Sequence, residues 1–167
     1  MGADAAERRK LAQEMLDAAR DGMRAALAST PEILYVAAAG NTNRDSTFDE
    51  DLWASMKDVP NLLVAGAVDQ AGNEAFFTSF GPAVTVYANG SQVESYIPGG
   101  ERMKMSGTSV AAPNVTNLAA KLIALDPSLT PADVVKLIRD GSDLSADGRF
   151  RLINPKRSVE LLQARMR

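Results

Sequence analysis

Two short, uninterrupted apolar runs constrain the fold of this chain more than any other feature of its sequence. The first runs from Ile33 to Ala39 and is closed by Gly40, and the second runs from Leu62 to Val68. Apolar runs of this length are typical of strands buried on both faces, as in parallel sheets. A third run, Val84 to Ala88, stops at Asn89-Gly90 and predicts another strand.

Helical patterns alternate with these strands. Residues 4 to about 28 place apolar side chains on one face and charges on the other, with Asp4 as N-cap. Further elements are a helix at 109–125, a helix at 131–140 capped by Thr130, a helix after Asn154-Pro155, a short helix at 49–56 and a short strand at 149–153. This alternation predicts an α/β fold, and no linker divides residues 1–167 into more than one domain.

Composition excludes several functions. Asp plus Glu total 21 and Lys plus Arg total 18, so a net charge of −3 gives no electrostatic reason to expect nucleic acid or an acidic membrane as partner. No apolar run approaches the roughly 20 residues of a membrane helix, and we expect no signal peptide. Cysteine is absent, and so is histidine, the usual general base near neutral pH.

Two segments carry chemistry. Small residues surround Ser109 in the segment Gly107–Pro113, at the predicted start of a helix, where unpaired N–H groups would stabilise an oxyanion. Asn41 follows a predicted buried strand, and sites in open α/β sheets lie at the carboxyl ends of strands. Each residue also has a simpler interpretation, because serine is a common N-cap and asparagine after glycine is a common turn residue.

Together with their flanks, these segments resemble the subtilisin-like serine protease family, also called subtilases or peptidase S8. Gly107–Pro113 matches every specified position of that family's motif Gly-Thr-Ser-x-Ala-[Ala/Ser]-Pro, and Ala38–Asn41 matches its Ala-Ala-Gly-Asn motif. Similar segments follow in the family's order at Gly66–Asp69, Phe77–Gly81 and Val84–Gly90, with Asn89 where proline is usual. The resemblance implies a partial subtilisin-like three-layer fold, with a mostly parallel sheet flanked by helices, that lacks its N-terminal half.

The resemblance also assigns roles. Ser109 is expected to be the acylated nucleophile of a serine endopeptidase, and the Asn41 side chain with the Ser109 N–H is expected to form the oxyanion hole. The substrate would be a polypeptide bound by the full-length protein. The residues expected to contact it are Ala38, Ala39 and Gly40, which form one wall of the pocket for the residue before the scissile bond, with Gly107 and Thr108.

The departures from the family pattern matter for activity. The family's catalytic Asp and His precede the segment that matches Asn41, and no Asp-Thr-Gly or His-Gly-Thr motif occurs here. We therefore expect the chain alone to be inactive. Three hypotheses remain: part of an active endopeptidase, a non-catalytic peptide-binding half-domain or degenerate protease acting as an interaction module, or a chain complemented by another that supplies Asp and His.

Expectations about cofactors, compartment and assembly are weaker. No cofactor or metal site is assigned, although the family often binds calcium and the acidic residues Asp45, Asp49, Glu50 and Asp51 cluster near Asn41. A solvated acidic loop is the simpler interpretation of that cluster. The sequence does not fix the compartment, and the family implies a secreted or cell-envelope protein. If the neighbouring strand is missing, Ile33–Ala39 becomes an open edge, and we expect a homo-oligomer with the N-terminal helix displaced.

Overall fold

A five-stranded sheet organises the computed structural model, which describes residues 4–46, 56 and 58–167. In chain order the elements are α1 (Ala5–Ala28), β1 (Tyr35–Ala38), β2 (Leu62–Val68), β3 (Val86–Asn89), β4 (Val93–Tyr96), β5 (Arg102–Met105), α2 (Thr108–Leu125), α3 (Pro131–Gly141), β6 (Asp143–Leu144), β7 (Arg151–Leu152) and α4 (Pro155–Arg165). The sheet order is β1-β2-β3-β7-β6, and only the β6–β7 pair is antiparallel. The predicted mostly parallel α/β fold is therefore confirmed.

The strand β2 is the centre of the core. All seven of its residues are buried, as the continuous apolar run predicts. Its side chains alternate between two apolar clusters, with Leu63 and Ala65 facing α2 and Leu62 and Val64 facing the cluster that contains Leu27. Both faces of the sheet are thus covered, which is the reason that no polar residue interrupts this strand.

The strand β1 lies at the edge of the sheet. Within the described residues it pairs only with β2, starting at Tyr35↔Leu62, and its outer side has no neighbour. The sequence predicts a strand buried on both faces, but all four residues of β1 are half-buried because no strand covers that side. Ile33, the first residue of the apolar run, precedes the strand and is 45% exposed.

The helix α2 packs across β1, β2 and β3 and supplies much of the core. Val115, Leu118 and Leu122 are fully buried against the sheet, as their spacing predicts. Ile123 is 39% exposed, because it lies one step around the helix from the buried face. The helix therefore fixes the position of its own first turn relative to the carboxyl ends of β1 and β2.

The helix α1 forms as predicted but buries little of its surface against the described residues. Asp4 caps it, accepting a hydrogen bond from the Glu7 N–H, and Glu7 completes a capping box. Leu11 is 58% exposed and Met15 is 66% exposed, so the predicted apolar face is open. Of the residues in this helix, only Leu27 is buried against the described part of the chain.

Other differences from the sequence prediction are local. The β4–β5 hairpin was not predicted, and the expected strand at 149–153 shortens to Arg151–Leu152. The expected helix at 49–56 lies outside the described residues except for Met56, which is buried. None of the helices in the described ranges combines the length and hydropathy that a membrane span requires.

Candidate active site

Ser109 is the second residue of α2, directly after the buried pair Gly107 and Thr108. Gly107 is the N-cap, and its carbonyl accepts the N–H groups of Val110 and Ala111. The Ser109 N–H has no carbonyl one turn earlier in the helix, so it stays available to an external acceptor. The Ser109 side chain is exposed, so its hydroxyl and this N–H sit at the positive end of the helix dipole.

Asn41 reaches the same place from the carboxyl end of β1. Its Oδ1 accepts hydrogen bonds from the Thr108 N–H at 2.8 Å and from the Thr108 hydroxyl at 3.0 Å. The same hydroxyl accepts the Gly40 N–H at 3.1 Å. These bonds hold the amide oxygen of Asn41 against the first turn of α2, and its Nδ2 donor takes no part in them.

Gly107 shows how closely the two groups approach. A Cβ added at this position would lie 3.1 Å from the Ser109 Oγ and 3.4 Å from the Asn41 Nδ2. The hydroxyl and the amide nitrogen therefore converge on one small space, although they lie far apart in sequence. Any side chain at position 107 would fill the space between them, so glycine keeps it open.

Hydrogen bonds from Ser79, in the segment after β2, hold the residues on either side of Asn41. The Ser79 N–H donates to the Gly40 carbonyl at 2.9 Å, and the Thr42 and Ser79 hydroxyls lie 3.3 Å apart. Gly40 has a φ of 106°, in the region that favours glycine, and a Cβ there would approach the Ser79 Oγ to 3.0 Å. Glycine at position 40 thus lets the chain turn sharply out of β1 and deliver Asn41.

The residues expected to contact substrate are placed unevenly. Ala38 and Gly40 are half-buried, whereas Ala39 is 5% exposed and its side chain packs in the cluster with Leu27. Thr108 is 1% exposed, so its side chain serves the hydrogen bonds to Gly40 and Asn41. Only the main chain of Ala39 and Thr108 is left to face a ligand.

The positioning role of the Thr108 hydroxyl was missed by the sequence reasoning. Its one signal in the sequence is a threonine directly before Ser109, and that signal does not say where the side chain points.

No general base lies beside Ser109 in the part of the chain that the structure describes. The 167 residues contain no histidine, and no described carboxylate accepts a hydrogen bond from Ser109. Within residues 4–46, 56 and 58–167, no three acidic residues gather in a way that would hold a metal ion. Of the acidic cluster that suggested calcium, Asp49, Glu50 and Asp51 lie outside the described residues.

Comparison with models of known protein families gives one match. The model of the subtilase family, Peptidase S8, matches residues 4–153. The chain belongs to this family.

Among curated proteins, subtilisin-like protease 1 of Trichophyton rubrum is 39% identical over 89 residues, which is 53% of this chain and 17% of that protein. The protein of the same name from Arthroderma benhamiae is 39% identical over 89 residues, 21% of its own length. This subtilase chain therefore spans about a fifth of the length of these relatives.

Solved subtilases share the fold. The self-cleaved protease domain of PatA is 26% identical with a TM-score of 0.71, over 84% of this chain and 54% of that one. A cold-adapted subtilisin-like serine proteinase is 29% identical with a TM-score of 0.60, over 69% of this chain and 42% of that one. The chain thus covers about half the length of these solved domains.

Proposed function

We propose that this chain carries the nucleophile and the oxyanion hole of a serine endopeptidase. Ser109 is the residue that attacks the scissile carbonyl of a polypeptide and becomes acylated. The oxyanion that forms accepts hydrogen bonds from the Ser109 N–H and the Asn41 Nδ2. Membership of the subtilase family supports this general activity, and the convergence of Asn41 and Ser109 beside Gly107 is the single observation that carries the assignment.

The proposed donors are suited to transition-state stabilisation because both are preorganised. The Asn41 amide is fixed by two hydrogen bonds from Thr108, and the Ser109 N–H is fixed by the helix. Donors that do not reorient during the reaction contribute most when negative charge develops on the substrate oxygen. The same geometry does little for the ground state, in which the carbonyl oxygen carries less charge.

The missing element is proton transfer. A serine hydroxyl is a weak nucleophile at neutral pH unless a base removes its proton. We propose that the base and the carboxylate that orients it come from polypeptide outside these 167 residues, and that the chain by itself is inactive. No cofactor is proposed. The half-buried Ala38 and Gly40, with the main chain of Ala39, Gly107 and Thr108, supply one side of the substrate cleft.

A fluorophosphonate probe tests the proposal on the chain alone. We expect labelling of Ser109, followed by mass spectrometry, to be slower by orders of magnitude than for a complete subtilase, because the hydroxyl is not activated. Ser109→Ala gives the background rate. Rapid labelling that disappears in Ser109→Ala would contradict the proposed need for an external base.

A longer chain that includes the proposed base and its carboxylate tests the oxyanion assignment. We expect Asn41→Ala to lower kcat by about 10²–10³, the loss found when one such donor is removed from a subtilisin, with little change in KM. Asn117→Ala, which removes an exposed amide from the middle of α2, is the matched control and should leave kcat unchanged.

An inactive longer chain would favour the second candidate function, a peptide-binding half-domain. Asn41 and Ser109 still converge beside Gly107, although the 167 residues contain no histidine to act as the base. This combination keeps the second candidate open. It predicts saturable binding of peptides to the chain without cleavage. Peptide binding that is unaffected by a bulky residue at Gly107 would count against both functions, because that residue fills the space between the two groups.

A further inference from the structure

A cleft that is separate from the Ser109 site lies near the amino end of β3. It has a volume of about 530 Å³ and is bounded by the loop Gly81–Thr85, the end of α3 and the β6–β7 hairpin. Val84 and Thr85 lead into the amino end of β3, whereas Ser109 and Asn41 lie at the carboxyl ends of the strands. The volume is within the range of roughly 300–1,000 Å³ that is typical of small-molecule sites.

The lining of this cleft carries only positive charge, whereas the whole chain has a net negative charge. Arg139, Arg149 and Arg151 line it, and no aspartate or glutamate belongs to its described lining. The whole chain has a net charge of −3, with 21 acidic and 18 basic residues. Three guanidinium groups around one cleft are therefore a local arrangement that composition does not explain.

Neighbouring carboxylates hold two of these arginines without using all their donors. Arg149 donates to Glu74 at 2.8 Å and its Nε lies 4.0 Å from the Asp147 carboxylate. Arg139 donates through its Nε to Asp140 at 3.4 Å. Each guanidinium carries five N–H donors, so most of them remain for another acceptor. In the described structure Arg151 has neither an ion pair nor a side-chain hydrogen bond.

The hairpin that carries Arg149 and Arg151 is well defined. The Asp147 carboxylate accepts the Arg149 N–H at 3.1 Å, and the Ser145 hydroxyl accepts the Phe150 N–H at 3.1 Å. Arg151 pairs across the hairpin with Leu144, which is 57% exposed at the cleft. An anchored backbone reduces the entropy lost when a ligand orders the side chains.

We propose that this cleft binds a small molecule that carries phosphate or carboxylate groups. The planar guanidinium groups of Arg139, Arg149 and Arg151 match the paired oxygens of such groups and form charge-assisted hydrogen bonds with them. The apolar remainder of the ligand contacts Leu144 and Phe150. The site is independent of the peptidase assignment, because it contains none of the residues around Ser109.

Nuclear magnetic resonance on the ¹⁵N-labelled 167-residue chain tests the proposal, with pyrophosphate and citrate as probes. We expect saturable shifts of the arginine Nε–H signals and of the Phe150 amide, while signals around Ser109 stay unchanged. Sodium chloride at the same ionic strength should give no saturable shift. The two probes distinguish a preference for phosphate from one for carboxylate, and shifts no larger than those with chloride would overturn the proposal.

Charge-removing variants localise the binding. Arg151→Gln should raise the dissociation constant about tenfold, since it removes a charge-assisted contact. Arg139→Gln, on a different element, should have a similar effect. Lys121→Gln, which removes an exposed cation on α2 and belongs to another cleft, is the matched control and should leave the constant unchanged. Equal effects of Lys121→Gln and Arg151→Gln, or binding of a poly-glutamate peptide alone, would contradict a small-anion site.

Discussion

At the scale of single residues, Thr108 is the position that links the fold to the site. Its hydroxyl donates to the Asn41 Oδ1 and accepts the Gly40 N–H, and the side chain is buried. A hydroxyl is one of the few groups that both donates and accepts at one atom, so an apolar replacement cannot serve both partners. Thr108 is therefore a positioning residue for Asn41.

Replacing this hydroxyl gives a residue-scale prediction. Thr108→Val keeps the side-chain shape but leaves the part-buried Gly40 N–H without its acceptor, so the free energy of unfolding should fall by about 1–3 kcal/mol. The measurement is urea unfolding followed by circular dichroism. Thr116→Val is the matched control, because the Thr116 hydroxyl only donates to the Ala112 carbonyl within its own helix. Equal losses for both variants would show that the Gly40 contact is unimportant.

The sequence identifies Ser109 and Asn41 as candidates but not the hydroxyl that orients Asn41. Motif matching finds the two residues because small neighbours and a strand end are visible in the sequence. The direction of the Thr108 side chain depends on how α2 packs beside β1, which is a tertiary property. For the same reason, the sequence did not show that the Ala39 side chain turns into the core.

At the scale of elements, prediction succeeded where burial leaves a clear pattern. The bounds of β2 agree with its apolar run because both faces of that strand are covered. The β4–β5 hairpin was missed because its strands are largely exposed and mix charged with apolar residues, from Glu94 to Met105. In such a hairpin the pairing between strands replaces core packing, and local sequence carries little trace of it.

The N-terminus of α3 gives an element-scale prediction about pH. Hydrogen bonds from Arg165 and from Thr130 lower the pKa of Asp133 to about 2, below its ordinary value of 3.8. A lowered pKa in the folded state means that the charged carboxylate stabilises the fold above pH 4 and that this contribution is lost as pH falls toward 2. Asp133→Asn should therefore lower the melting temperature by a few degrees at neutral pH.

The difference between wild type and Asp133→Asn should shrink steadily as pH falls from about 4 to about 2, which calorimetry at a series of pH values measures. Asp21→Asn, on the exposed helix α1, is the control and should change the melting temperature little at any pH. A difference that persists undiminished at pH 2 would show that the carboxylate charge is not the cause.

At the scale of the whole molecule, the consecutive elements α1 and β1 each present a surface that no described residue covers. The outer side of β1 has no partner strand among the described residues, and the apolar face of α1 is open at Leu11 and Met15. No charge or proline within β1 blocks pairing with another strand. Nothing described here covers either surface, so the assembly state stays a prediction.

We expect the isolated chain to form a dimer or larger assembly through β1. The Tyr35 and Ala39 N–H groups bond to the β2 side, so by alternation the Val36 N–H points to the open edge. Val36→Pro removes that donor and should shift the assembly toward the monomer in size exclusion with light scattering. Ala37→Pro removes an N–H on the β2 side and should instead lower the unfolding stability. A wild-type monomer would refute the prediction.

The bonds that hold Asn41 also tie the candidate site to the completion of the fold. The Asn41–Thr108 and Gly40–Thr108 hydrogen bonds join residues 67 and 68 positions apart, so they close a long loop. They require the end of β1 and the first turn of α2 to lie side by side, as they do when α2 is packed on the sheet. In a partly folded chain Asn41 and Ser109 are therefore apart, and the oxyanion hole that we propose exists only once the fold is complete.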